Sequence, residues 1–240
     1  MNPLDSATIA FVNQFAGRSP LFDSVVNTIQ TSQLLTGELA IAAYWWLWFR
    51  RVSADEERRT REILVVSVVG VIAAVALSIV LAPLFPAHGR PIHEPGLFTR
   101  LPYGVSAEET GHHASFPSHH ALVAFALVTG LFLVSSTVGI VAALYALLAV
   151  GCPLVYLGLH YPTDILGGAI IGSAVVSLLT VPLLRSRVAA PVMSVCSRCP
   201  TAFYATWFLV TLQTATLFQD LVPYLRWSRD ALNALLSLLA

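Results

Sequence analysis

A long, uncharged apolar run occupies positions 63–82 of this chain. About 20 mostly apolar residues form a helix that crosses the ~30 Å hydrocarbon core of a bilayer. Comparable runs lie at 33–49, 121–134 with a polar start at 117–120, 138–158, 165–184 and 201–217. Charged residues make up 11% of the chain, against about a quarter of a soluble domain. The pattern predicts an all-α, polytopic membrane bundle with about six transmembrane helices.

The flanking segments predict shorter helices at the membrane surface. Residues 1–32 are moderately apolar and are interrupted by Gly17 and Pro20, which favours one or two interfacial helices. Residues 33–222 form the expected transmembrane domain, with a core at 63–184, and 223–240 are predicted to form a C-terminal interfacial helix. The net charge is zero, so nothing indicates nucleic-acid binding.

The chain contains arginine but no lysine, and the placement of the arginines predicts its orientation in the membrane. Arginines concentrate in two predicted loops, 50–61 and 185–198, and short arginine-rich loops stay cytoplasmic. The loops 85–116 and 160–164 then face outward. We therefore expect a multi-pass protein of the cell inner (plasma) membrane whose outer face is periplasmic or extracellular.

All seven histidines lie between positions 88 and 160, and helix parity brings them to that outer face. Three short segments there contain the chemically capable side chains. They are Gly-Arg-Pro at 89–91, Ser-Phe-Pro-Ser-His-His at 115–120, and Tyr-Leu-Gly-Leu-His-Tyr-Pro-Thr-Asp at 156–164.

The third segment pairs a histidine with a carboxylate. Pro162 favours a helix start, and it places His160 just before the first turn, with Asp164 four residues further on. A carboxylate near an imidazole fixes its tautomer and raises its basicity, which suits a nucleophile or base. The alternative is a His–Asp pair that only ties two helix ends together.

The other two segments suit an anion. Ser118 stands at a helix start, where backbone N–H groups attract negative charge, and His120 lies one turn further, placed to protonate a leaving oxygen. The guanidinium of Arg90 matches phosphate oxygens. The alternatives are helix capping by Ser118 beside solvated histidines, and an arginine that merely lies at the membrane interface.

In order, spacing and residue type, these segments resemble the type 2 phosphatidic acid phosphatase superfamily, membrane lipid phosphatases that share a site with vanadium haloperoxidases. The family pattern is Lys-x6-Arg-Pro, then Pro-Ser-x-His, then Ser-Arg-x5-His-x3-Asp, and the resemblance covers 63–184. The opening Ser-Pro-Leu-Phe-Asp at 19–23 and the whole layout look most like the bacitracin-resistance type of undecaprenyl pyrophosphate phosphatase.

The resemblance implies a vanadium-haloperoxidase-like helical core and a role for each matched residue. His160 would attack phosphorus and Asp164 would orient it, while His120 would protonate the departing lipid oxygen and later activate water. Arg90 and Ser118 would hold the phosphoryl oxygens. The implied substrate is a lipid phosphate within the membrane lipids, undecaprenyl pyrophosphate first, and no metal or other cofactor is implied.

Two positions depart from the family pattern. Pro83 stands where the family has lysine, and Leu154 where it has arginine. His119, at the variable motif position, would restore a phosphate-binding charge if protonated, and Arg100 would do so if it reached in. The departures predict reduced activity, or else a catalytically degenerate homologue that binds a lipid phosphate or a partner protein without turnover.

The remaining polar residues of the outer loop leave a third hypothesis, a metal-dependent membrane hydrolase. Histidine and carboxylate are common zinc ligands, although the spacing here matches no zinc motif. These residues would otherwise contact the substrate head group or be solvated; they are His88, His93, Glu94, Glu108, Glu109, His112 and His113.

Overall fold

The computed structural model describes residues 2–85, 88–108 and 115–217, and every regular element within these ranges is helical. The all-α expectation is confirmed. A π-helical turn, Leu147–Gly151, joins α6 to α7 into one continuous rod. The helices are α1 (Pro3–Asn13), α2 (Pro20–Thr31), α3 (Leu39–Trp48), α4 (Ala54–Leu81), α5 (His119–Val134), α6 (Ser136–Ala146), α7 (Cys152–Tyr156), α8 (Pro162–Leu179), α9 (Pro182–Arg198) and α10 (Pro200–Ala215).

Local sequence explains where several of these helices begin. Proline is the first residue of α1, α2, α8, α9 and α10, a position where its missing N–H costs nothing and its fixed φ suits the helix. Ser118 is the N-cap of α5, and its hydroxyl oxygen accepts a hydrogen bond from the Ala121 N–H at 3.4 Å. Proline and serine, more than the apolar pattern, therefore set the starts of the two helices that carry site residues.

The central helix is α5, which packs against α4, α6 and α8. Helix α8 approaches so closely that a Cβ at Gly168 would overlap the Ser118 carbonyl oxygen, and one at Gly172 would overlap that of Leu122. The Gly-x3-Gly step of α8 thus serves close helix packing. Because Asp164 lies in the first turn of α8, this contact also fixes Asp164 relative to Ser118.

Three helices in the described part of the chain are long and apolar enough to cross a membrane: α4, the α6–α7 rod and α8. They correspond to three of the six predicted spans. The predicted spans near 121–134 and 201–217 are helices of 16 residues, which extend about 24 Å. The first predicted span consists of the π-helical turn Leu34–Glu38 followed by α3, which has 10 residues.

The predicted fifth span, 165–184, ends earlier than expected. Helix α8 stops at Leu179, and Pro182 begins a separate helix, α9. Proline cannot extend the hydrogen-bonded ladder of a helix interior but is well tolerated in the first turn. As a result, the arginine-rich stretch 185–198, predicted to be a loop, is helical.

Buried polar side chains tie α1 and α2 to the end of the bundle where α7 meets α8. The Asp5 carboxylate accepts hydrogen bonds from the Thr163 N–H at 3.1 Å and hydroxyl at 2.6 Å. Asp23 is completely buried, and it accepts from the Tyr156 hydroxyl and from the Tyr103 N–H. The two N-terminal helices therefore clamp the chain around the α7–α8 link.

The domain bounds stay predictions. They comprise the interfacial placement of residues 1–32 and the transmembrane domain 33–222. The C-terminal interfacial helix predicted at 223–240 lies outside the described residues.

Helix α4 separates the arginine-rich end of the molecule from the histidine-rich end. Near its start, Arg58 and Arg185 both contact the Glu62 carboxylate, at 3.0 and 3.2 Å. Near its other end, Ser78 Oγ lies 3.0 Å from Nε2 of His119. Glu62 and Ser78 are roughly 24 Å apart along the helix at 1.5 Å per residue. The two polar groups thus lie at opposite ends of an apolar layer.

Candidate active site

Backbone hydrogen bonds bring the three polar segments together. The His88 carbonyl accepts from the Ser115 N–H at 3.0 Å, and the Ile92 N–H donates to the Gly158 carbonyl at 2.9 Å. Arg90 lies between these two anchor points, so its segment is fixed on one side to the Ser-Phe-Pro-Ser segment and on the other to the α7–α8 link. The convergence that helix parity predicted is present in the structure.

The link that carries His160 is a tight turn. Gly158 adopts a φ of +68°, which favours glycine. The Leu154 carbonyl, near the end of α7, accepts from the N–H groups of Leu159 at 2.9 Å and His160 at 3.2 Å. Pro162 then starts α8. The backbone therefore holds the His160 ring directly beside the first turn of α8.

Ser118 and Asp164 are joined through their backbones. The Ser118 N–H donates to the Asp164 carbonyl oxygen at 3.2 Å, and both residues are completely buried. Since the Ser118 hydroxyl oxygen already accepts from Ala121 as the helix cap, its hydroxyl hydrogen is the group that remains to be donated. Ser118 therefore caps α5, as the alternative interpretation held. Its hydroxyl hydrogen is the one donor that the cap leaves for a phosphate.

His160 contacts its carboxylate partner through a serine. Its Nδ1 lies 3.6 Å from Oδ2 of Asp164 and 3.4 Å from Oγ of Ser115. The Ser115 hydroxyl donates to the same Oδ2 at 2.5 Å. A hydroxyl has a single hydrogen, so its oxygen accepts from His160. This network assigns the proton to Nδ1 and leaves the Nε2 lone pair available.

The Asp164 carboxylate is bound on both oxygens. Oδ2 also accepts the Tyr161 N–H at 2.8 Å, while Oδ1 lies 3.3 Å from Nε2 of His88. The His88 side chain is 41% exposed, and Asp164 is buried. Ser115 had no role predicted from the sequence, and His88 was considered only as a metal ligand, a head-group contact or a solvated residue. Both residues stand beside predicted phosphate-binding motifs in the sequence, but which of their atoms make contacts depends on how the segments fold together.

His119 is exposed and is held by α4. Its Nε2 lies 3.0 Å from Ser78 Oγ, and the Ser78 hydroxyl donates to the Val75 carbonyl. The imidazole is therefore the donor, through Nε2. Nε2 faces the end of α4, so Nδ1 is the ring nitrogen that remains for contact with a phosphate.

His120 lies within electrostatic range of the other candidate groups. A charge on His160, His119 or Arg90 would act on its ring. The ring is partly buried and lines two neighbouring cavities. Among the predicted residues, His120 is the one that connects the phosphate side of the site with the interior of the helix bundle.

Arg90 is half-buried, and Arg100 lies elsewhere. Burial lowers the pKa of Arg90, but arginine begins so far above neutrality that the side chain stays charged. The backbone of Arg100 is held by the Asn13 side chain of α1, and Arg100 lines a separate surface cavity with Arg18. The suggestion that Arg100 reaches into the site is therefore wrong for this structure.

The two family-pattern departures have different surroundings. Leu154 is 1% exposed and packs with the apolar side chains of Val150 and Ile165. Pro83 is exposed in a short 3-10 turn after α4. An arginine at position 154 would require a different core, whereas position 83 has room for a long side chain.

An outer cavity of about 640 Å³ lies beside the site, and two of its lining side chains, those of Asp5 and Glu94, are carboxylates. Burial, with the charges of Glu94, Asp164 and Asp5, raises the pKa of Tyr161 to about 12. Glu94, Asp5 and Tyr161 all line this cavity, together with His88.

No group of three or more His, Cys, Asp or Glu side chains is placed to hold a metal ion in residues 2–85, 88–108 and 115–217. His88, one of the residues considered for such a site, contacts Asp164 instead. Glu109, His112 and His113 lie outside the described residues.

The model of the PAP2 superfamily matches residues 65–186, half of the chain, and that range contains all six candidate site residues. No curated protein and no solved structure gave a significant match. Members of the superfamily are generally phosphatases that act on lipid phosphates. The chain belongs to the PAP2 superfamily.

Proposed function

We propose that the protein is a membrane lipid phosphatase that works through a phosphohistidine at His160. The observation that carries this proposal is the buried network in which Ser115 connects Asp164 to Nδ1 of His160. A neutral imidazole with a free Nε2 and a carboxylate behind it is a competent nucleophile.

In the first step, Nε2 of His160 forms a bond to phosphorus while the bond between phosphorus and the lipid oxygen breaks. Protonated His120 gives its proton to that departing oxygen. In the second step, neutral His120 takes a proton from water, whose oxygen displaces the imidazole and releases phosphate. Arg90 and the Ser118 hydroxyl stabilise the charge on the phosphoryl oxygens.

The substrate that we favour is a phosphomonoester or pyrophosphate of a lipid carrier, with undecaprenyl pyrophosphate first. We place the site on the outer face of the inner (plasma) membrane. The separation of the arginine-rich end of α4 from the histidine-rich end supports this orientation, because arginine-rich ends stay cytoplasmic.

A second candidate function is binding without turnover. The specific observation that favours it is the burial of Leu154 in an apolar cluster, because no cation takes the place of the family arginine at that position. Loss of one charged contact to the transition state costs about 3–4 kcal/mol. Turnover that is slow for the family is therefore the expected result, and no turnover is the limiting case.

A phosphate-release assay on the full chain in lipid nanodiscs tests the proposal. Undecaprenyl pyrophosphate and phosphatidic acid are the substrates, each with and without a chelator. We expect release that the chelator leaves unchanged and that His160→Ala abolishes, while the variant unfolds at the wild-type temperature. Phosphate release by His160→Ala at the wild-type rate would contradict the proposal.

The same assay separates the other hypotheses. Binding of phosphatidic acid without any release supports the non-catalytic homologue. Loss of activity in the chelator, restored by added zinc, supports a metal-dependent hydrolase.

A further inference from the structure

Two arginines that the proposed mechanism does not use line one small cavity beside the N-terminal helices. The cavity has a volume of about 260 Å³ and lies between the end of α1 and the loop 96–100. Arg18 and Arg100 both line it, and both are exposed. We call this space the arginine cavity. Its other described lining residues are neutral; they are Ala10, Asn13, Gln14, Gly96, Leu97 and Thr99.

The charge of the arginine cavity is not balanced by its own walls. No carboxylate lines it among the residues that the structure describes, and the ion pairs within those ranges involve neither Arg18 nor Arg100. Asp23 lies nearby, but it is completely buried and both of its oxygens already accept hydrogen bonds. Glu94 lines the separate outer cavity. The arginine cavity therefore attracts an anion.

A buried asparagine holds the Arg100 wall of the cavity in place. Asn13 of α1 is 3% exposed. Its Oδ1 accepts hydrogen bonds from the Thr99 N–H at 2.9 Å and the Arg100 N–H at 3.1 Å. Its amide group donates to the Arg100 carbonyl at 2.7 Å. The backbone of Arg100 is thus fixed against α1 from both of its peptide groups.

Asp23 holds the Arg18 wall in the same way. Its Oδ2 accepts from the Gly17 N–H and from the Tyr103 N–H, each at 3.0 Å. This bond joins the turn that carries Arg18 to the continuation of the loop that carries Arg100. The two arginine backbones are therefore fixed relative to each other before any ligand binds, which reduces the entropy that binding must overcome.

Exposed apolar side chains surround the arginine cavity. Phe11 and Phe15 are 61% and 47% exposed, Leu21 is 77% exposed, and Leu101 is 47% exposed. The Arg18 guanidinium carbon lies 5.6 Å from the centroid of the Phe15 ring. At a membrane surface, apolar side chains of this kind enter the acyl region while arginines stay at the level of the head groups. These neighbours indicate that the anion belongs to a membrane lipid.

We propose that the arginine cavity binds the phosphate group of an anionic membrane lipid, at a site separate from the candidate active site. The planar guanidinium group matches phosphate oxygens, and basic pockets of membrane proteins bind anionic head groups. The cavity is smaller than the ~300–1,000 Å³ of pockets for drug-sized ligands, so it holds a head group while the acyl chains stay in the bilayer.

A zwitterionic head group fits less well, because its own cation would meet two arginines. The inference goes beyond the proposed function and does not depend on hydrolysis at His160. Free inorganic phosphate offers the same oxygens, and the experiment therefore separates the two sources.

A phosphate that contacts both arginines would connect the end of α1 to the loop 96–100. The Thr99 and Arg100 N–H groups, which donate to Asn13, exchange with solvent when this loop opens away from α1. With the site occupied, opening must also break the phosphate contacts. Exchange of these two N–H groups therefore reports occupancy of the cavity.

The experiment is hydrogen exchange of the full chain in nanodiscs, mapped by mass spectrometry over the loop 96–100. The discs contain phosphatidylcholine with an increasing fraction of phosphatidylglycerol, an anionic phosphodiester unlike the substrates proposed for His160. Pure phosphatidylcholine is the zwitterionic control. A further arm adds inorganic phosphate to discs of pure phosphatidylcholine.

Phosphatidylglycerol should slow exchange of the loop about tenfold, the factor expected at roughly ten times the dissociation constant. Inorganic phosphate should have no comparable effect. Arg18→Gln and Arg100→Gln should each remove most of the slowing. Arg59→Gln is the matched control, because it removes the same charge from an exposed position on α4, and it should leave the slowing unchanged.

Each variant is judged by the ratio of its exchange rates in the two kinds of disc, so a change in basal stability cancels. Should one arginine variant fail to fold, the other still tests the site. Equal exchange in both lipids, or slowing that persists in Arg18→Gln and Arg100→Gln, would overturn the proposal. Slowing by inorganic phosphate but not by phosphatidylglycerol would overturn the assignment to a lipid.

Discussion

The Ser115 hydroxyl donates a 2.5 Å hydrogen bond to Oδ2 of Asp164 and so stands between that carboxylate and His160. The direct separation from Nδ1 of His160 to Oδ2 is 3.6 Å, beyond the usual range for a hydrogen bond. The carboxylate therefore acts on the imidazole largely through the serine. His88, on the other carboxylate oxygen, completes the support of Asp164.

Ser115→Ala should lower kcat about 10- to 100-fold with little change in KM, because the imidazole loses the contact that fixes its tautomer. Steady-state phosphate release across a range of pH measures both constants. The pH dependence of kcat should also change, which a purely structural role would not cause.

Ser115→Thr is the conservative control, because it retains a hydroxyl, and it should recover most of the lost kcat. An alanine variant with wild-type kcat and an unchanged pH profile would show that the serine has no positioning role.

Gly168→Ala should destabilise the fold and disturb the site together. Its Cβ would overlap the Ser118 carbonyl oxygen, and such overpacking costs about 1–3 kcal/mol. Thermal unfolding in nanodiscs measures the loss. Gly151→Ala is the matched control, because its Cβ would meet its nearest neighbours at 3.5 Å, an ordinary contact. Equal melting temperatures for the two variants would argue against close α5–α8 packing.

Leu154→Arg, which restores the family residue, should destabilise the protein and fail to raise activity. The position is 1% exposed among aliphatic side chains, and a buried unpaired charge costs several kcal/mol. Pro83→Lys restores the other family cation at an exposed position and should keep wild-type stability. Thermal unfolding and phosphate release are measured for both variants. A stable Leu154→Arg protein with faster turnover would refute this description of the core.

Asp23→Ala should loosen the N-terminal helices, because Asp23 is completely buried and accepts hydrogen bonds from Tyr156, Tyr103 and Gly17. Removal of a buried charged acceptor costs roughly 3 kcal/mol. Hydrogen exchange of α1 and α2 is the direct measurement, and it should increase.

Asp23→Asn keeps one acceptor oxygen and should show a smaller increase. Unchanged exchange in Asp23→Ala would mean that α1 and α2 are held by other contacts.

Much of the fold was predictable because bilayer crossing imposes a strong pattern. The apolar runs 63–82, 138–158 and most of 165–184 coincide with long helices. Helix α9 was missed because its proline start and its arginines resemble a loop when only hydropathy is considered. The contacts of α1 and α2 were missed because they depend on single buried carboxylates, which hydropathy does not reveal.

The segments of the candidate site could be predicted from the sequence, but the hydrogen bonds between their side chains could not. Order and spacing selected Arg90, His120, His160 and Asp164 as candidates, and helix parity placed them on one face. Neither spacing nor parity could show that Ser115 mediates the contact with the carboxylate, because a hydrogen bond depends on angles and on sub-ångström distances that only tertiary packing fixes.

Trapping of the covalent intermediate distinguishes the proposed mechanism from its alternatives. The full-length protein is mixed with radiolabelled lipid phosphate, quenched within milliseconds in alkali, and mapped by mass spectrometry. The mechanism predicts an acid-labile, alkali-stable phosphate on His160 that disappears in His160→Ala, whereas His120→Ala slows both its formation and its breakdown by water. A label on another residue, or turnover with no phosphorylated protein at any time, would contradict it.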